Sequence, residues 1–128
     1  MLNNKEQIDI EIQVTASEYW AERTLFYLGK MFTDQLKPGE DYQKLEKCIH
    51  IGILNFTMFE DEEYYSCFHF WSDQGRKMYS DKVEIHTLEL PKLAKYEYPE
   101  TELLKWLQFI NAETKEEFEM AAEKKRIY

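Results

Sequence analysis

The alternation of apolar and polar residues near the start of the chain constrains the fold most strongly. The aliphatic positions are Ile8, Ile10, Ile12 and Val14, and the polar positions between them are Asp9, Glu11 and Gln13. A period of two is typical of a β-strand with one apolar face. The opposite face then carries two carboxylates and an amide, an arrangement that suits a strand bordering a cleft with a metal ion. We therefore expect this strand to contribute to a site.

A helix is predicted directly after this strand. Thr15 with Glu18 three residues later fits a capping box, and Ser17 is a second candidate N-cap. The expected core-facing stripe of the helix consists of Ala21, Leu25, Leu28, Phe32 and Leu36. A second stripe, expected to flank the polar face of the strand, consists of Trp20, Arg23 and Tyr27.

Three further strands and two further helices are predicted within a single domain that spans residues 1–128. The strands are expected at Cys48–Met58, Tyr64–Ser72 and Lys82–Leu90, the first two as an antiparallel pair. An amphipathic helix follows residue 99, and residues 112–128 are predicted as a charged C-terminal helix outside a core of residues 1–111. A chain of this length is sufficient to bury one hydrophobic core.

The cysteines and histidines leave two interpretations open. Cys48 and Cys67 lie in apolar runs and are expected to be buried free thiols, typical of a reducing compartment. Each cysteine is followed two residues later by a histidine, His50 or His69. If the two strands pair with these side chains on one face, the two cysteines and two histidines match the ligand number of a Cys₂His₂ zinc site. The spacing differs from that of common zinc sites, so buried thiols and hydrogen-bonded histidines are the preferred interpretation.

Glu84 and His86 alternate with apolar residues on the last predicted strand, which predicts a polar outward face. The polar N-terminus contains no signal peptide, and no apolar run is long enough to span a membrane. We therefore expect a cytoplasmic protein without a membrane partner.

Five segments, taken in order, resemble one known family. The strand ends in Glu11-Ile12-Gln13 and leads into a helix in which Arg23 and Tyr27 form Arg-x-x-x-Tyr. The later segments are QLKPGEDY at 35–42, IHIGILNF at 49–56 and LELPK at 88–92. Together they cover roughly residues 7–110. They resemble the PD-(D/E)XK nuclease family transposases, the Rpn group of recombination-promoting nucleases.

The resemblance implies an α/β, restriction-endonuclease-like mixed sheet with a central helix and C-terminal helices, and Mg²⁺-dependent hydrolysis of DNA. The family motif is an Asp on one strand and Glu-x-Lys on the next, with Gln in the Lys position in this group. Glu11 and Gln13 match its second half, which implies that Glu11 is a metal ligand and Gln13 a catalytic group. Arg23 and Tyr27 are then the implied substrate contacts.

The first half of the motif has no match. Only ten residues precede Glu11, so the first helix and the Asp-bearing strand of the family core are expected to be absent. Asp9 lies two positions before Glu11 on the same strand and is a poorly placed substitute metal ligand.

Two functions therefore remain open. The first is a DNA endonuclease with weak or no activity. The second is a non-catalytic domain that self-associates, or pairs with a full-length relative, through an open sheet edge. The net charge of −9 disfavours DNA binding, which depends on Lys and Arg neutralising phosphates. From the residues alone, a solvated strand face with Arg23 paired to Glu11 is the simpler interpretation.

Overall fold

The computed structural model describes residues 5–113. Its strands and helices are β1 (Glu6–Gln13), α1 (Trp20–Thr33), β2 (Lys47–Leu54), β3 (Tyr65–Trp71), β4 (Met78–Glu89) and α2 (102–113). Short 3₁₀ turns occupy Tyr42–Lys44 and Leu90–Ala94. The C-terminal helix predicted at 112–128 lies almost entirely outside the described residues.

The four strands form one mixed sheet in the order β1-β2-β4-β3. β1 pairs with β2 and β2 pairs with β4 in parallel, whereas β3 pairs with β4 antiparallel. The predicted α/β mixed sheet is therefore confirmed. The predicted antiparallel pairing of the second and third strands is wrong, because β4 lies between them. β2 is apolar or buried on both faces, as a central strand of a parallel sheet requires.

Helix α1 covers the sheet face that carries the even-numbered residues of β2. Its buried residues are Trp20, Thr24 and Leu28, whereas Leu25 of the predicted stripe is 55% exposed. The buried face thus follows i, i+4 and i+8 from Trp20. Gly52 accommodates the indole ring, since a Cβ at this position would lie 3.0 Å from Trp20.

The start of α1 differs from the predicted capping box. The N-cap residue is Tyr19, and no side chain caps the helix. Ser17 instead accepts a hydrogen bond from the backbone N–H of Tyr19 at 3.3 Å, within the turn that precedes the helix. The Thr15–Glu18 prediction is wrong because the first helical residue is Trp20, two residues beyond Glu18.

Helix α2 packs on the opposite face of the sheet. A buried cluster joins Ile53 of β2 and Leu88 of β4 to Leu90 and to Leu107 of α2. The predicted amphipathic C-terminal helix is therefore confirmed.

The expectation that both cysteines are buried is half wrong: Cys48 is buried under α1, but Cys67 is exposed on β3.

Candidate functional site

The parallel pairing of β1 with β2 brings two carboxylates to a buried histidine. Asp9 aligns with His50, and Glu11 aligns with Gly52, so these side chains share the face that α1 covers. The Nε2 atom of His50 lies 3.6 Å from Oδ2 of Asp9 and 3.7 Å from Oε2 of Glu11. These distances exceed those of hydrogen bonds. One ligand atom from each of the three residues lies within 4.8 Å of the others.

His50 is an unusual buried group because its ring nitrogens have no hydrogen-bond partner. The residue is 1% exposed, and neither Nδ1 nor Nε2 bonds to any atom of residues 5–113. The Trp20 indole packs edge-on against the imidazole, with the ring centroids 5.9 Å apart. Buried polar groups normally have partners, so an orphaned nitrogen indicates a missing water or ion. Its Nε2 is aimed at the gap between Asp9 and Glu11.

Arg23 reaches the same site from the first turns of α1. Its Nη2 atom lies 2.7 Å from Oε1 of Glu11, which is the ion pair expected from the residues alone. The guanidinium also lies 5.9 Å from the Trp20 ring and 5.7 Å from the Tyr27 ring. Such contacts hold a cation over aromatic faces. The side chain remains 44% exposed, so its other donors face the entrance of the site.

The other two predicted site residues, Gln13 and Tyr27, lie at the margin of the Asp9–Glu11–His50 site. The side-chain amide of Gln13 donates to the backbone carbonyl of Thr15 at 3.0 Å, which places it at the end of β1 beyond Glu11. Tyr27 is half exposed and contacts the site through Arg23. The structure thus brings Asp9, Glu11 and Arg23 together, with Gln13 and Tyr27 beside them.

His50 was not predicted as a member of this site. The sequence-based pairing joined its strand to β3, whereas its neighbours in the sheet are β1 and β4. The apolar run of β2, with three isoleucines at alternate positions, is typical of a central parallel strand. That signal, used with a β1-α1-β2 crossover, indicates that β1 pairs with β2 in parallel, but the register that places His50 beside Asp9 is seen only in the structure.

A family model described as "PD-(D/E)XK nuclease family transposase" matches residues 1–128. The chain belongs to this family. No curated protein and no solved structure matches the chain significantly. The mixed α/β sheet agrees with the restriction-endonuclease-like fold of PD-(D/E)XK nucleases. Among the described helices, none has the length and apolar character needed to cross a membrane.

The donor set fits the divalent metal that PD-(D/E)XK nucleases generally use. Mg²⁺ is typically held by one or two carboxylates together with water and substrate phosphate. Asp9 and Glu11 supply these oxygens, and the orphaned Nε2 of His50 faces them from the buried side, where a metal-bound water would give it a partner. The Arg23–Glu11 ion pair competes with a cation for the Glu11 carboxylate.

Proposed function

We propose that this chain is a Mg²⁺-dependent DNA endonuclease of the recombination-promoting Rpn type, with weak activity in this form. The observation that carries the proposal is the buried His50 imidazole, which has no hydrogen-bond partner within residues 5–113 and is aimed between the carboxylates of Asp9 and Glu11. A buried histidine without hydrogen-bond partners destabilises a hydrophobic core. A metal ion or a water molecule at this position would give the ring nitrogen a partner.

Asp9 and Glu11 hold the ion in this proposal, and Nε2 of His50 bonds to one of its water ligands, because Mg²⁺ prefers oxygen ligands. Bound Mg²⁺ supplies Lewis acidity to the phosphoryl oxygen and lowers the pKa of a bound water. Arg23 contacts a DNA phosphate with guanidinium donors that are not engaged with Glu11. Gln13 is uncharged and therefore orients a water through its side-chain oxygen, because its amide nitrogen is engaged with Thr15.

Two properties of the chain limit this activity. Arg23 neutralises Glu11 at 2.7 Å, so a cation must compete with the guanidinium for that carboxylate. Nonspecific DNA binding depends on attraction between positive charges of a protein and the phosphate backbone. The net charge of −9 instead repels that backbone. We therefore expect slow cleavage that is sensitive to salt.

Glu11→Gln is expected to weaken Mg²⁺ binding at least tenfold, which corresponds to about 1.4 kcal/mol. The amide keeps the size of the side chain but removes the charge that attracts the cation. The measurement is isothermal titration calorimetry with Mg²⁺, followed by nicking of supercoiled plasmid by the same proteins. His50→Gln tests the buried histidine in the same way.

Glu22→Gln is the matched control, because Glu22 is an exposed acid in the first turn of α1. It should bind Mg²⁺ like the unsubstituted protein. The proposed metal site is wrong if Glu11→Gln binds Mg²⁺ as tightly as the unsubstituted chain. It is also wrong if the unsubstituted chain does not bind Mg²⁺.

A second function, self-association, is favoured by the outer edge of β1. Within residues 5–113, no strand pairs with this edge. The aliphatic residues on the face away from α1 are also open, with Ile8 53%, Ile10 59% and Ile12 49% exposed. An unpaired edge with an adjacent apolar stripe invites another chain to add a strand. The proposed partner is a second copy of this chain or a full-length relative.

Ile10→Lys is expected to abolish such self-association, because a charge on the stripe must be desolvated when another chain covers it. Sedimentation velocity over a range of concentrations measures the effect. Tyr79→Lys, at an 88% exposed position on β4, is the control and should leave assembly unchanged. A chain that is monomeric at all concentrations, with or without Ile10→Lys, would exclude this function.

A further inference from the structure

A second cluster of ligand-type side chains lies on the sheet face opposite to the Asp9–Glu11–His50 site. In the antiparallel β3–β4 pair, Cys67 is directly opposite His86. Their Sγ and Nε2 atoms are 3.8 Å apart. The Glu84 carboxylate lies 2.7 Å from Nε2 of His86 and 2.6 Å from Nε2 of His69. Cys67 of β3 and Glu84 and His86 of β4 thus bring one ligand atom each within 4.8 Å of one another, and His69 bonds to the other oxygen of the Glu84 carboxylate.

The chemistry of these donors selects zinc. One sulfur, one imidazole nitrogen and one carboxylate oxygen are ligand types that Zn²⁺ takes in four-coordinate sites. Mg²⁺ and Ca²⁺ prefer oxygen ligands, which this cluster supplies from Glu84 alone. Ligand atoms of Cys67, Glu84 and His86 already lie within 4.8 Å of one another. The distance from Sγ of Cys67 to Nε2 of His86 is close to that between two ligands of one tetrahedral ion.

We propose that Cys67, Glu84 and His86 bind one Zn²⁺ ion that fastens β3 to β4, with His69 holding the second oxygen of the Glu84 carboxylate. The site differs from the Cys₂His₂ set considered from the sequence, because Cys48 and His50 belong to the face covered by α1. It takes one ligand from β3 and two from β4, so the ion joins the two strands. It stands independently of the proposed nuclease function.

Neighbouring groups orient the ligands for this role. The Tyr65 hydroxyl lies 2.5 Å from Nδ1 of His86, so it fixes the ring and leaves Nε2 for the metal. Without metal, the Glu84 carboxylate bridges the two histidines through its two oxygens, and Nε2 of His86 stays beside Sγ of Cys67. Zn²⁺ then replaces hydrogen bonds within an arrangement that is already formed. Cys67 is exposed, so the ion reaches the site without unfolding.

Cobalt substitution tests the proposal, because Co²⁺ in a site with a thiolate ligand shows a sulfur-to-metal charge-transfer band in the near ultraviolet. The chain has two cysteines, so Cys67→Ser and Cys48→Ala identify the sulfur. We expect the band in the unsubstituted protein and in Cys48→Ala, and its loss in Cys67→Ser. Zn²⁺ affinity, measured by competition with a chromophoric chelator, should fall by more than about 100-fold in Cys67→Ser, and by about 10- to 100-fold in Tyr65→Phe.

Far-ultraviolet circular dichroism establishes that each variant is folded, and His86→Gln replaces Cys67→Ser if the latter is not. Glu11→Gln should leave the cobalt band unchanged, since it affects only the opposite face of the sheet. The proposal is overturned if the unsubstituted protein gives no thiolate band with Co²⁺. It is equally overturned if Cys67→Ser, or His86→Gln in its place, binds Zn²⁺ as tightly as the unsubstituted chain.

Discussion

Lys92→Met is expected to lower the free energy of unfolding by about 3–5 kcal/mol, the cost of breaking a buried ion pair by removing one partner. Lys92 is 2% exposed and Glu89 is 1% exposed, with 3.0 Å between Nζ and Oε2. Nζ also donates to Oδ1 of Asp61 and to the backbone carbonyl of Glu63, each at 3.0 Å. Methionine fills the same space but leaves the Glu89 carboxylate buried without its counter-charge.

The pair also holds the long connection between β2 and β3. The second oxygen of Glu89 accepts hydrogen bonds from the backbone N–H groups of Met58 at 2.7 Å and Phe59 at 2.9 Å. Asp61 and Glu63, on the same connection, bind Lys92. Burial alone would lower the pKa of Lys92, but its hydrogen bonds to Asp61 and Glu89 outweigh that effect and raise it. The ammonium is therefore charged at neutral pH, and its loss releases the connection.

Urea unfolding followed by circular dichroism measures this effect. Lys105→Met is the matched control, because Nζ of Lys105 lies 4.0 Å from Glu102 and both side chains are exposed. Its expected change is below about 0.5 kcal/mol. Adding Glu89→Gln to Lys92→Met should recover part of the lost stability, since the double variant buries no charge. A Lys92→Met protein as stable as the control would mean that the buried pair does not form.

The sequence was sufficient to predict the strand β1, because a period of two has one structural explanation. It did not predict which face of β1 is covered. The face with Asp9 and Glu11 lies towards α1, and the isoleucines are half exposed. The isoleucines are exposed because β1 lies at the edge of the described sheet, whereas α2 packs near Ile53 and Leu88 at the centre of the sheet. Periodicity determines alternation but not strand order.

The same limit applies to both clusters of titratable groups. Glu11 and Arg23 were predicted together because strand and helix are adjacent in the sequence, and they do form an ion pair. His50 joins them only through the parallel β1–β2 register. Cys67 and His86 meet only because β3 pairs with β4 and not with β2. Contacts between distant segments depend on strand order, which local patterns do not encode.

Glu84→Gln is expected to lower the free energy of unfolding by about 3 kcal/mol at pH 7 in metal-free protein. Burial alone would raise the pKa of the Glu84 carboxyl, but hydrogen bonds from His86, His69 and Lys47 outweigh burial and lower the pKa from 4.5 to about 2. Each pKa unit is equivalent to about 1.4 kcal/mol. The glutamine keeps the shape of the side chain and loses the charge that these three donors stabilise.

The pH dependence of this difference follows from the sign of the shift. A carboxyl whose pKa is lowered on folding contributes its full stabilisation above its unfolded pKa and loses it as the pH falls through the folded pKa. The stability gap between the unsubstituted protein and Glu84→Gln should therefore be constant above pH 4.5 and close as the pH falls towards about 2. Urea unfolding in the presence of a chelator, from neutral pH to the lowest pH at which the protein folds, measures it.

Glu102→Gln is the control for this series, because the Glu102 side chain is 97% exposed. Its stability should follow that of the unsubstituted protein at every pH. If the gap for Glu84→Gln instead stays constant below pH 4.5, the carboxylate is not stabilised by His69, His86 and Lys47. The metal-free cluster would then lack the hydrogen bonds that hold the Glu84 carboxylate between the two histidines, and zinc would have to organise the site as it binds.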